Sequence, residues 1–367
     1  MAVASTALAL TACGPGGSDN AGNGDAGDRE AQYKRVIEDP HPRPADVIEA
    51  AGAPTGVVRA ADGSLLLTYD AGNVEDDEGP AATAWRIVGP DGRTVAEHAE
   101  HADAEAVRPA FKGVRGGFVR VPSGEGTERA YALDVRGKRH EIVITGTPSR
   151  TRPGDILLTD LEPPLVYRPA TRTAAPPAGV PDDAVRLVVD ERGTVWSLDQ
   201  PLTEDPNRVV RQRDGRTLGA TTVPKSYTGG LLVARAGTAA LSLTQDVGVR
   251  GLLVTTDDGA HWQAVLDGGI PWTDLKHGSE LLVLELLADG RLLVGEQGGR
   301  YWLADDRTNS AFHELRTPAA FTSLTVEGTT LYGIADATTA TYDLAKGEGL
   351  WVSRDDGREW RRHEQRG

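Results

Sequence analysis

From about residue 45 the chain alternates short apolar runs with clusters of Gly, Asp and Pro. Examples are Val57-Val58-Arg59, Leu65-Leu66-Leu67-Thr68-Tyr69 and Ala84-Trp85-Arg86-Ile87-Val88. Later ones are Gly117–Val121, Ala130–Leu133, Val185–Val189, Thr194–Leu198, Ala240–Leu243, Leu252–Val254, Leu281–Leu287 and Thr330–Ile334. Runs this short, rich in Val, Ile, Leu and aromatic residues and bounded by turn formers, predict β-strands. No stretch repeats apolar residues at helical spacing over a useful length, so an all-β fold is expected. The segment Gln32-Tyr33-Lys34-Arg35-Val36-Ile37 stands before this pattern and is expected to add an edge strand to it.

The turns carry a repeated code. Ser353-Arg354-Asp355-Asp356-Gly357-Arg358-Glu359-Trp360 and Thr255-Thr256-Asp257-Asp258-Gly259-Ala260-His261-Trp262 share a hydroxyl, a carboxylate, a glycine and a tryptophan at fixed offsets. Carboxylate and hydroxyl accept hydrogen bonds from turn N–H groups, glycine supplies positive φ, and tryptophan folds back as an apolar plug. The reduced skeleton Asp-Gly-x-x-apolar recurs at Asp91-Gly92 and Asp214-Gly215, and a further corner falls near Asp305-Asp306. The corners recur at multiples of about 41 to 49 residues, a period that fits four short strands per propeller blade. The spacing therefore predicts a β-propeller of seven four-stranded blades, with six or eight as the neighbouring counts.

The two complete octapeptides resemble the Asp-box (BNR) motif of sialidase-like β-propellers. That resemblance implies a structural role, in corners between third and fourth strands, for Thr255, Asp257, Gly259, Trp262, Ser353, Asp355, Gly357 and Trp360. It brings no catalytic residue with it. The early Arg-Ile-Pro strand of that family has no counterpart, since Arg86-Ile87-Val88 is the nearest approach, and no catalytic triad is assigned.

Composition adds a location. The chain opens with an apolar stretch, residues 1–12, that is too short to span a bilayer and ends in Leu10-Thr11-Ala12-Cys13. This resembles the bacterial lipobox, which implies diacylglyceryl modification of Cys13 and anchoring at the outer face of the cell membrane. Cys13 is the single cysteine, so no intramolecular disulfide can form. The lipobox signal lacks a basic leading segment, so the natural start is expected upstream. Residues 13–31 are Gly-, Asp- and Ala-rich and are expected to form a tether, leaving residues 32–367 as the propeller.

The formal net charge of −15 argues against a nucleic-acid partner, which needs a basic face to displace counterions. A monomer is expected. A propeller of this kind would present a ligand on the face opposite the corners, built by blade-to-blade linkers and by loops joining second to third strands. The blade assignment places Arg108, Arg152, Lys225, Tyr227, Asp246, Arg250, Trp272, Glu296, Arg300 and Tyr342 there. Arginines, aromatic platforms and scattered carboxylates suit a carbohydrate, a peptide or a partner protein. Non-catalytic binding is the first reading; a sialidase-type exo-glycosidase is the alternative. No cofactor or metal is expected. His98-x-x-His101 lacks further spaced ligands, and Glu75-Asp76-Asp77-Glu78 lacks the alternation of a calcium loop.

Overall fold

The computed structural model describes residues 23–72, 81–102, 110–121, 130–158, 164–181, 184–201, 205–246, 248–275, 282–296, 299–335 and 349–363. Two helices, α1 (Asn23–Glu38) and α2 (Pro44–Ala51), precede seven four-stranded sheets arranged as the blades of a β-propeller.

Blade one consists of β1 (Gly56–Arg59), β2 (Leu65–Gly72), β3 (Ala81–Val88) and β4 (Thr94–Ala102), paired in that order. Blade two follows with β5 (Ala110–Val114), β6 (Gly117–Val121), β7 (Tyr131–Asp134) and β8 (Arg139–Glu141). Next in the chain come β9 (Val143–Ile144), β10 (Ile156–Leu158), β11 (Leu165–Arg168) and β12 (Thr173–Ala175), which form blade three. Blade four holds β13 (Ala184–Val189), β14 (Val195–Asp199), β15 (Arg208–Arg213) and β16 (Arg216–Thr222). Blade five holds β17 (Thr228–Arg235), β18 (Thr238–Gln245), β19 (Gly248–Thr255) and β20 (Gln263–Val265). Blade six holds β21 (Leu282–Leu286), β22 (Leu292–Glu296), β23 (Tyr301–Ala304) and β24 (Phe312–Glu314). Blade seven ends the fold with β25 (Ser323–Glu327), β26 (Thr330–Ala335), β27 (Gly349–Ser353) and β28 (Arg361–Arg362).

The first strands β1, β13, β17, β21 and β25 line the axis together with β5 and β10, and β25 returns to touch β1. Each sheet is buried on both faces against its neighbours, which is why apolar doublets such as Leu66-Leu67 and Leu292-Leu293 are fully covered.

Two features depart from the sequence expectation. Residues 32–37 lie in α1, not in an edge strand. In blade three the outermost strand is β9, which precedes the other three in the chain and pairs parallel with β12 through Val143↔Thr173 and Ala174↔Ile144. The apolar run Glu141–Ile144 is thus divided between two blades, Glu141 ending β8 and Val143-Ile144 forming β9.

Among the described residues no sheet combines strands from the two ends of the chain, so no strand exchange closes the ring there. The helices close it instead. Val36 of α1 and Val47, Ile48, Ala50 and Ala51 of α2 share one buried cluster with Leu65, Leu67 and Tyr69 of blade one and with Tyr332, Ile334 and Leu350 of blade seven. Pro44 sits in the first turn of α2, and Gly52 ends the helix at φ 73° with its N–H bonded to the Ile48 carbonyl. Burying each Val or Ile side chain stabilises by about 1.5–3 kcal/mol, so this clasp supplies a sizeable part of the seam.

Candidate functional site

The corners settle which face of the ring is braced. In blade five, Thr255 Oγ1 donates to Asp257 Oδ1 at 2.9 Å and accepts from Gly259 N–H at 3.0 Å, while His261 N–H donates to Asp257 Oδ1 at 2.9 Å. In blade seven, Ser353 Oγ, Asp355 Oδ1, Gly357 N–H and Glu359 N–H form the same three bonds at 2.8, 2.8 and 3.0 Å. Asp258 and Gly259 have φ of 63° and 78°, and Asp356 and Gly357 have 64° and 78°. Backbone donation from His261, with its ring beside it, pulls the Asp257 carboxyl down to about 2. Donation from Glu359 lowers Asp355 in the same way.

Both tryptophans pack backward onto the preceding structure. Trp262 meets Trp196 of blade four edge-on at 6.1 Å, and Trp360 meets Phe321 at 5.0 Å while donating to the Arg316 carbonyl. Thr255, Asp257, Ser353 and Asp355 are thus engaged in holding the turns.

The opposite face gathers the loops joining second to third strands and the blade-to-blade linkers. Of the expected ligand residues, Lys225, Asp246 and Arg300 are exposed there, and Arg300 lies 5.2 Å over the Trp302 ring. Arg250 and Tyr227 are half-buried; Tyr227 packs beside the Trp196 cluster. Trp272 is 5% exposed, in a short 3-10 helix (Trp272–Asp274), and its indole donates to the Asp267 carbonyl. It therefore serves the core between blades five and six. Glu296, also 5% exposed, closes β22 below a turn to Arg300. Arg152 lies against Gly193, in the hairpin joining β13 to β14 on the corner side, where Thr151 Oγ1 donates to the Gly193 carbonyl at 2.6 Å. Arg108, Tyr342, Cys13 and Glu75–Glu78 lie outside the described residues.

His98 and His101 both lie on β4, three residues apart and so on opposite faces of its sheet. The His98 ring stacks at 5.5 Å on Trp85, and His101 Nε2 pairs with the Ile37 carbonyl of α1 at 2.9 Å. Among the described residues no group of three His, Cys, Asp or Glu side chains could hold a metal ion.

The axial channel holds the chemistry that the sequence reading passed over. Its cavity of about 540 Å³ is lined by Thr55, Thr68, Phe111, Lys112, Glu285, Ser323, Thr325 and Glu327. A second cavity of about 590 Å³ shares Lys112 and is walled by Ile156, Leu157, Leu187, Val188, Val189, Leu231 and Leu232, with Arg186 on its rim. Glu285 is the single acid in the apolar run Leu282–Leu286. Leu282, Leu284 and Leu286 turn toward blade five, leaving Glu285 to face blade seven. There Thr325 Oγ1 donates to Oε1 at 2.9 Å and Val326 N–H donates to Oε2 at 2.5 Å. Its remaining accessible surface opens into the channel while protein crowds it elsewhere. That burial, reinforced by the neighbouring Glu327 charge, outweighs the donated bonds and pushes the carboxyl up to about 7. Burial also raises Glu327, against the pull of an Arg59 N–H and the charges of Arg235 and Arg59. A lone acid inside an otherwise apolar strand was the sequence signal for this site.

No family model and no curated protein matches this sequence. Solved structures do. The β-propeller domain of the Trilobed protease from Pyrococcus furiosus, described as having an open velcro topology, aligns with a TM-score of 0.54 at 10% identity, covering 85% of this chain and 95% of that one. The likeness is one of fold. A puromycin-hydrolyzing peptidase from Mycobacterium tuberculosis aligns at a TM-score of 0.49 and 17% identity over 87% of this chain, which spans 55% of the peptidase. An uncharacterized protein from Listeria monocytogenes gives 0.48 and 11%, covering 72% of this chain and 82% of its own.

Proposed function

We propose that this protein is a lipid-anchored, extracytoplasmic propeller that binds a glycan, a peptide or a partner protein on its loop face without catalysis. The observation that carries this reading is the asymmetry of the two faces. On one, Thr255, Asp257, Ser353 and Asp355 of the corners are consumed in turn bonds and Asp356 in a tie to Arg291. On the other, where second strands end, third strands begin and blades are linked, Lys225, Asp246 and Arg300 stand exposed. A rigid ring that carries long loops on one side is a common way to present a recognition surface. Nothing in the fold itself selects the ligand.

Anchoring rests on Leu10-Thr11-Ala12-Cys13 and on the Gly-rich residues after it. Two acyl chains hold a protein at a membrane stably where one would be marginal. The ring would then stand outside the cell as a monomer. The finer kinship with Asp-box sialidase-like propellers is supported by the shared bond pattern of the two corners.

The decisive experiment is a glycan and peptide array probed with the chain from Gly14 onward. A saturable hit that weakens in Lys225→Ala and Arg300→Ala supports the reading. Turnover of a fluorogenic sialoside that those variants lose would replace it with the glycosidase. For the anchor, Cys13→Ser should move the protein from the membrane to the soluble fraction, and unchanged membrane retention would refute lipidation.

A further inference from the structure

Glu285 is a carboxyl group enclosed by protein whose hydrogen-bond donors, Thr325 Oγ1 and Val326 N–H, are all neutral. Among the described residues no Lys, Arg or His nitrogen lies within 4 Å of it. Asp190 shares such a neutral shell, bonded by the Arg192 and Thr194 N–H groups and the Trp196 indole, but lines neither channel cavity, whereas three other inward carboxylates each hold a guanidinium. Asp155 is held by Arg168 at 2.7 Å, Glu97 by Arg86 at 2.6 Å, and Glu100 by Arg120 at 2.5 Å. An enclosed carboxyl without a cation is costly unless something else satisfies it.

Its surroundings have a definite character. The same cavity holds Glu327, which stands two residues beyond Thr325 on β25 and so shares its side of the strand. The hydroxyls of Thr55, just before β1, of its partner Thr68 on β2 and of Ser323 at the start of β25 line the same cavity. The base that shares the cavity, Lys112, directs its Nζ to the Leu157 carbonyl of blade three at 2.9 Å, on the side away from blade seven. Beyond Lys112 the channel wall is aliphatic from Leu157 through Leu187 to Leu232, apart from the exposed Arg186. The channel thus carries its two carboxyls on blades six and seven, with the charges of Arg59 and Arg235 acting on Glu327 and with Arg235 Nη1 bonded to the Leu286 carbonyl at 3.2 Å, and a largely apolar wall on blades three to five.

We propose that the axial cavity is a binding site for an aliphatic ammonium group, with Glu285 and Glu327 receiving the charged nitrogen and the aliphatic wall covering its alkyl stem. The carboxyls supply the acceptors that an –NH3+ group requires, and Thr325 and Val326 hold Glu285 in place for it. The chemistry is the same whether the nitrogen belongs to a free polyamine or to a lysine side chain. This inference stands apart from whatever the surrounding loops bind. Binding would favour the ionised acid and so would release a proton near neutral pH, a signature that a purely structural Glu285 would lack.

Calorimetry on the full chain at pH 7 tests the site. The probes are 1,4-diaminobutane, N-acetyl-lysine amide, n-alkylamines from propyl to hexyl, butane-1,4-diol, and calcium and potassium chloride. Saturable amine binding is expected, with proton uptake by the buffer. Affinity should rise up to roughly fourfold per methylene as the stem is covered. It should fall at least tenfold in Glu285→Gln, whose amide still accepts the Thr325 and Val326 bonds, and fall less in Glu327→Gln. Thr55→Trp, which narrows the mouth without touching either acid, should also weaken it, so the test does not depend on one variant folding. The tighter of diamine and acetyl-lysine amide names the source. Absence of saturable amine binding, binding unchanged in all three variants while circular dichroism shows them folded, equal binding of the diol, or binding of the inorganic cations alone would overturn the proposal.

Discussion

Arg291, in the hairpin between β21 and β22 of blade six, donates through Nη2 to Asp356 Oδ1 in the corner of blade seven at 2.5 Å. Its Nε also holds Asp289 at 2.8 Å, so one guanidinium ties a hairpin to the next blade's corner. Blades four and five repeat the relationship in a looser form. There Arg192 stands 3.6 Å from Asp258, with the two side chains 51% and 41% exposed against 13% and 31% for Arg291 and Asp356.

Exposure decides what these two ties are worth. Arg291→Ala should destabilise the protein by about 2 kcal/mol, because it leaves two partly buried carboxylates without their partner. Arg192→Ala should cost less than about 0.5 kcal/mol, as an exposed pair does. Urea unfolding measures both. A double-variant cycle with Asp356→Ala should return a coupling of about 1 kcal/mol for Arg291, and a coupling near zero would remove the tie from the account.

The corner tryptophans should matter more than their half-buried surface suggests. Each is the plug that joins a corner to the structure before it. Trp360→Ala should cost about 2 kcal/mol or more, since it opens space beside Phe321 and removes an edge-on aromatic contact. Trp262→Ala should behave alike through Trp196. Thermal unfolding of the pair of variants, compared side by side, checks whether the two corners are energetically equivalent.

Glu285 makes stability depend on pH in a fixed direction. Its carboxyl titrates near 7 in the folded protein against 4.5 in the unfolded chain. The folded state therefore binds more protons than the unfolded state across that interval. Stability contributed here is full below pH 4.5, declines as pH rises to about 7, and is lost above it. The swing is at most about 3 kcal/mol, from the size of the displacement. Glu285→Gln should abolish this slope and should stabilise the protein at pH 8. Urea midpoints from pH 5 to pH 8 for both proteins would show it, and parallel profiles would exclude it.

The helical clasp makes the seam between blades one and seven a distinct unit. Val47 is fully buried, so Val47→Asp places a charge in the cluster that joins α2 to both blades. The expected result is fast amide exchange in β1, β2 and β26, while β14 and β18 keep their protection. Uniform loss of protection around the ring would mean that the seam has no independence.

How much of this was legible beforehand follows from the range of the forces involved. The corners were legible because their code is local. Within eight residues, Ser353, Asp355 and Gly357 carry the acceptors and the positive φ that the turn needs, and Trp360 carries the plug. Repetition of that code along the chain predicted the ring and its seven blades, and short apolar runs between turn residues marked many of the strands, though not β5, β12, β16, β20 or β24.

Other features were decided by contacts distant in sequence. Residues 32–37 turn helical because Tyr33 and Val36 find an apolar seam made by blades one and seven, which no local pattern announces. Val143 and Ile144 leave blade two because β12 offers them an open edge. Trp272 looks like a platform in the sequence and is covered by packing. Glu285 looks like an isolated acid in an apolar strand, and only ring closure sets it before Thr325 and the channel. Hydrogen-bond codes of a few residues can be read along a chain, whereas burial is a property of surfaces that meet only when the chain has folded.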